Sequence, residues 1–123
     1  MNHRAWTCTE LSPDFSGLRL VRRPCVALAA GEVRVRVHAA ALNFPDLLMT
    51  QGKYQIKPPL PYVAGMECAG EAIEVGAGVD WPVVGDAVCF GAHAGAFTEE
   101  LVASAAALRP LPEGFSMAEG AAY

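Results

Sequence analysis

Two groups of residues in V-A-G-M-E-C-A-G-E-A-I-E-V-G-A-G, Val63 to Gly78, are of types that do chemistry. Glu67 and Cys68 are metal-ligand types, and Gly76-Ala77-Gly78 follows a strand-like run in the manner of a phosphate-binding loop. A catalytic metal needs about three converging protein ligands. Successive residues of a strand point to opposite faces, so Glu67 and Cys68 cannot easily share one ion. Cys89 and His93 form the other close pair and have no partner nearby in sequence. A dinucleotide loop requires a third glycine that opens a helix, whose N-terminus receives the pyrophosphate. Here Trp81 and Pro82 stand at that point and Gly85-Asp86 turns the chain again, so the stretch reads as a tight hairpin turn. The expectation is scaffold, with no metal held by these residues.

The elements that must position any site are short and mostly extended. Ala5–Thr9 and Leu18–Arg22 read as a first hairpin, joined across Ser12-Pro13-Asp14 and Ser16-Gly17. In Glu32–His38 the residues Val33, Val35 and Val37 alternate with Arg34, Arg36 and His38, which predicts one buried and one wet face. Leu47–Gln51 reads as a short helix, with Asn43 near its start, Pro45 tolerated in its first turn and Gly52 as terminator. Lys57–Pro61 must be extended or turning. Cys68–Val75, Ala87–Phe90, Ala96–Val102 and Ala107–Pro110 read as further strands. Ser116 and Glu119 have the S-x-x-E spacing of a capping box, so a helix is expected to begin there. Many short strands between turns favour a small barrel or sandwich.

A length of 123 residues fits one domain, and 53% hydrophobic against 18% charged residues favours a folded core over disorder. The net charge of −4 and the scattered basic residues exclude the concentrated positive face that nucleic acids and anionic membranes require. Apolar runs such as Leu101–Leu108 fall well short of the ~20 residues that span a bilayer. The N-terminal residues lack an apolar signal core, so a cytoplasmic location is expected. Cys8, Cys25, Cys68 and Cys89 form no C-x-x-C pair and read as reduced, mostly buried side chains.

Three motifs in order, A-A-L-N-F-P-D-L-L-M-T-Q-G-K-Y, P-P-L-P-Y-V-A-G-M-E-C-A-G and V-G-D-A-V, resemble the catalytic domain of the medium-chain dehydrogenase/reductase superfamily. The branch most similar is the zinc-independent, NADPH-dependent quinone oxidoreductases, and the resemblance runs from about Glu32 to the end. It implies a mainly β, GroES-like fold, a partly open β-barrel with short helices. In zinc-dependent members a cysteine stands at the position of Asn43, and G-H-E at the position of Gly65-Met66-Glu67. The four-cysteine lobe that holds a structural zinc in those members is replaced by a direct passage through Phe90–Gly95. The resemblance therefore implies no zinc. A simple ketone needs a Lewis acid during hydride transfer, whereas a quinone or enone is electrophilic enough to manage with hydrogen-bond donors.

By the same resemblance the catalytic positions are Asn43, Asp46 and Tyr54, and the cofactor-facing ones Asn43 and Phe44. Tyr54 would donate a hydrogen bond to the acceptor carbonyl, and Asp46 would anchor the helix. Related reductases have a second tyrosine where this chain has Leu48. The family places a Rossmann domain after the helix that begins near Ser116, so residues 1–123 are expected to be one GroES-like domain, cut at the linking helix. NADPH would bind mainly to that further domain, which would also form most of a homodimer interface. An enoyl-thioester reductase on the same fold, and a non-catalytic GroES-like binding module, are the competing readings.

Overall fold

In a computed structural model, which describes residues 2–123, turn punctuation divides the chain into eight strands, two short α-helices and one 3-10 turn at Ala105–Ala107. In chain order these are β1 (Asn2–Cys8), β2 (Leu18–Pro24), β3 (Glu32–Ala41), α1 (Phe44–Thr50), β4 (Tyr62–Val63), β5 (Glu67–Val75), β6 (Ala87–Gly91), β7 (Glu100–Ser104), β8 (Leu108–Pro110) and α2 (Met117–Ala121). One sheet has the order β2-β1-β4, the other β7-β3-β5-β6-β8, and every pairing is antiparallel. The predicted hairpin is present, in register from Asn2 opposite Pro24 to Cys8 opposite Leu18.

The strand pleat builds two cores from one sheet. Val33, Val35, Cys68, Ala72, Val88 and Phe90 point to one side, where Leu101 and Leu108 join them. Each such aliphatic or aromatic side chain contributes about 1.5–3 kcal/mol when fully buried. Ala69 and Cys89, opposite one another across β5 and β6, point to the other side and pack against Ala121 of α2. All four cysteines are free, and Cys8, Cys68 and Cys89 are buried, in line with the sequence reading.

The wet face predicted for β3 is corrected at Arg34, which is 8% exposed. As a central strand, β3 has neighbours on both sides that supply acceptors to that face. Arg34 Nε donates to Glu74 Oε1 at 2.8 Å, and the guanidinium also donates to the Val26 carbonyl and stands 3.9 Å from Glu100. Arg36 and His38 remain exposed as predicted.

A strand over Ala96–Val102 is also corrected, to Glu100–Ser104. Residues 96–99 divide their backbone bonds: Ala96 and Phe97 N–H donate to the Gly65 and Ala64 carbonyls, the Glu99 carbonyl still accepts the Val37 N–H of β3 at 3.0 Å, and the rest reach β1. Trp6 N–H donates to the Phe97 carbonyl at 2.9 Å, Glu99 N–H donates to the Arg4 carbonyl at 2.9 Å, and Ala5 bridges to Thr98. This segment joins the two sheets. β4 had no signal strong enough to read, being two residues long.

The turn at Gly76 belongs to the scaffold. Its N–H donates to the Glu32 carbonyl at 2.7 Å, and a Cβ there would overlap the Ala29 carbonyl oxygen. Residues 79–86 form turns and bends, and strand β6 follows, so no helix is available to receive a phosphate. At the other end Ser116 N–H donates to Glu119 Oε1 at 2.8 Å and Glu119 N–H to Ser116 Oγ at 3.1 Å, the reciprocal bonds of the predicted capping box.

Candidate functional site

The end of β3 and the start of β5 lie side by side, with Ala41 opposite Glu67. Immediately after β3 the backbone stays extended at Asn43 and then enters α1 with Pro45 in the first turn. Pro45 has no N–H to leave unsatisfied there. The helix thus begins three residues earlier than Leu47, where the sequence placed it. Asn43 occupies the cap position, yet its side chain serves another purpose. Its Nδ2 donates to Glu67 Oε1 at 3.2 Å and to the Ala41 carbonyl at 3.4 Å. These two acceptors fix the orientation of the amide, because a carbonyl oxygen can only be met by the NH2 end. Asn43 Oδ1 makes no cap hydrogen bond, although Asn43 stands with Asp46 in the capping-box arrangement, and it remains as an acceptor.

Asp46 stabilises the helix start from inside. Its Oδ2 accepts the Asn43 backbone N–H at 2.8 Å, while Oδ1 is buried without a hydrogen-bond partner. The residue is 5% exposed. Burial raises its pKa above the usual carboxylate value and the nearby charge of Glu67 raises it further, against the Asn43 N–H, which lowers it. Phe44 is 70% exposed, and Leu42 beside it is exposed too. The two present an apolar surface directly next to the Asn43 amide.

Tyr54 lies in the irregular stretch beyond the Gly52 turn and is half-buried. Gly52 adopts φ +73°, the left-handed conformation that ends a helix. Among the described residues no hydrogen bond joins Tyr54 to Asn43, Asp46 or Glu67. The structure therefore brings Asn43, Phe44, Asp46 and Glu67 together and leaves Tyr54 apart from their network. The sequence had weighed Glu67 only as a metal ligand. Its pairing with Asn43 depends on irregularities in the β3–β5 register, near Arg34/Val35 and Val37/Ala39, that no pattern of residues announces.

Met66 sits beside this cluster, and its carbonyl accepts the Ala92 N–H at 2.9 Å, which holds the start of β5 in place. As a donor set, the Asn43 amide and the Met66 thioether bring neither imidazole nor thiolate, and Glu67 is already engaged. These residues do not fit a zinc ion. The buried hydroxyl of Tyr62, opposite Cys8, also lacks a partner among the described residues, and burial raises its pKa well above the ordinary phenol value.

Comparison with known proteins agrees with this architecture. Residues 29–113 match the family described as the alcohol dehydrogenase GroES-like domain. Quinone oxidoreductase-like protein 2 of Rattus norvegicus is 36% identical over 120 residues, which cover 98% of this chain and 33% of the relative. The chain thus spans about a third of the length of that relative. The crystal structure of the human synaptic vesicle membrane protein VAT-1 homolog-like protein superposes with a TM-score of 0.92 at 31% identity, over 100% of this chain and 40% of the other. The quinone oxidoreductase of Thermus thermophilus, also solved in complex with NADPH, superposes with a TM-score of 0.79 at 34% identity, over 98% of this chain and 36% of the other. The fold is GroES-like, and the chain belongs to the alcohol dehydrogenase GroES-like domain family, within the medium-chain dehydrogenase/reductase superfamily.

Proposed function

We propose that the protein carrying this chain is a reductase that passes a hydride from NADPH to a quinone or an activated double bond. In this reading, residues 1–123 form one wall of the cleft and a nucleotide-binding domain forms the other. The relatives named quinone oxidoreductases support the reaction class, and the NADPH complex of the Thermus thermophilus structure supports the cofactor. When bound, NADPH supplies the hydride, and the protein supplies orientation and a dry cleft.

The observation that carries the reading is the held amide of Asn43. With both hydrogens engaged by Glu67 and Ala41, it offers only the acceptor Oδ1. An acceptor suits the carboxamide NH2 of a nicotinamide or a ribose hydroxyl, and it does not suit the acceptor oxygen of a quinone. Asn43 is thereby assigned to the cofactor. Phe44 and Leu42, both exposed, cover the neighbouring apolar surface and exclude water. Asp46 fixes the backbone of Asn43 and takes no proton in the reaction. Tyr54 stands as the donor to the acceptor carbonyl, a role that closure of the cleft would complete. The reaction is zinc-independent in this account, since electrophilic acceptors need no Lewis acid.

Kinetics of the full protein test this. Asn43→Ala should raise KM for NADPH and lower kcat by on the order of ten- to a hundredfold, as expected when a reactant loses its orientation. The same substitution should leave KM for the quinone nearly unchanged. A selective rise in quinone KM would place Asn43 on the acceptor instead.

A further inference from the structure

We infer that His3, Cys25 and Glu100 form a binding site for a zinc-class divalent cation, apart from the hydride-transfer site. The three come from β1, from the residue that follows β2, and from the first residue of β7, so they converge only in the fold. Their donor atoms all lie within 4.8 Å of one another. His3 Nδ1 stands 3.7 Å from Cys25 Sγ, and Cys25 Sγ stands 3.4 Å from Glu100 Oε1. In a tetrahedral zinc site, metal–ligand bonds of about 2.0–2.3 Å put neighbouring nitrogen, oxygen and sulfur donors about 3.3–3.6 Å apart. Two edges of such a tetrahedron are thus nearly formed.

The surroundings suit the same ligand. All three residues are half-buried, and His3 and Glu100 line a cleft of about 410 Å³ that is shared with Tyr62 and Gly95. The cleft leaves room for water as the fourth ligand. Its lining includes none of Asn43, Phe44, Asp46, Tyr54 or Glu67. Arg34, 3.9 Å from Glu100, and Arg23, in the cleft lining, are cations that would oppose an added charge. A divalent ion with one thiolate and one carboxylate is neutral in sum, so binding takes the site from the −1 of the Glu100 carboxylate to zero and leaves no net positive charge beside them. The ion would take the place of the proton that the Cys25 thiol now directs at Glu100, and that proton would pass to solvent. Imidazole, thiolate and carboxylate together favour zinc over magnesium or calcium. Bound there, the ion would tie the two sheets together, because β1 lies in one and β7 in the other.

Binding of cobalt(II), a spectroscopic substitute for zinc, to the purified protein tests the site. The expected result is one equivalent bound, with a near-ultraviolet thiolate-to-cobalt charge-transfer band that zinc abolishes by displacement. Cys25→Ser should remove the band, and His3→Ala or Glu100→Gln should weaken binding by about tenfold or more, while His93→Ala leaves it unchanged. In the unmodified protein, zinc should protect Cys25 from alkylation, as read by peptide mass mapping, which needs no variant to fold. No saturable binding, a band that survives Cys25→Ser, or alkylation of Cys25 at the same rate with and without zinc would overturn the proposal. None of these readouts depends on reductase activity.

Discussion

At the scale of single residues, Asn43 and Asp46 divide the work of the N-F-P-D motif. Asn43 is half-buried and keeps its amide oxygen as an acceptor, and Asp46 is buried with one satisfied and one orphaned oxygen. The carboxyl of Asp46 has its pKa raised in the folded state, so between the unfolded value of about 3.9 and the folded value the native form binds more protons. Stability from this group is therefore gained as pH falls through the folded pKa and is lost as pH rises. Asp46→Asn keeps an oxygen for the Asn43 N–H and removes the buried charge, so thermal unfolding at pH 7 should show equal or greater stability. Asp46→Ala removes the bond to the helix start and should cost about 1 kcal/mol in the same measurement. The motif made Asn43, Phe44 and Asp46 legible in the sequence. The role of Glu67 was hidden, because a carboxylate beside a cysteine says nothing about which residue of a distant strand will stand opposite it.

At the scale of elements, punctuation and alternation located most strands, and failures fell where the chain serves two sheets. Ala96–Glu99 has the composition of a strand, but its backbone bonds are split between β1, residues 64–65 and Val37 of β3, and the charged pair Arg4–Glu99 clasps the crossing. Arg4 N–H and Nη2 donate to the two oxygens of Glu99 at 2.6 and 2.8 Å, and these bonds hold the carboxyl pKa down at about 2. Since the unfolded value is about 4.3, the unfolded chain takes up its proton first, and stability from this pair is lost as pH falls from about 4 toward 2. NMR titration of the Glu99 carboxyl should give a midpoint near 2, rising in high salt because the pair is exposed to solvent. Gly76 tests the turn assignment. Gly76→Ala should destabilise the fold by about 1–3 kcal/mol through its collision with Ala29, as read by denaturant unfolding. KM for NADPH should not change, whereas a phosphate-binding loop would show a large rise.

At the scale of the whole molecule, the chain covers about a third of its curated relatives, and its exposed Leu42 and Phe44 flank Asn43 in sequence. The fold class was readable because many short strands between turns leave few architectures open. The cation cluster was not, because His3, Cys25 and Glu100 are separated by up to 97 positions and meet only after both sheets have formed. The central claim is that this chain is one wall of a two-walled, zinc-independent NADPH cleft. The most direct test is NADPH oxidation with a quinone acceptor, measured side by side for the full protein after removal of metals by chelation and for residues 1–123 alone. The account predicts enzyme-like turnover in the first and none in the second. Turnover by residues 1–123 alone, or loss of activity on chelation in full protein carrying Cys25→Ser, where the separate cation site is already removed, would contradict it.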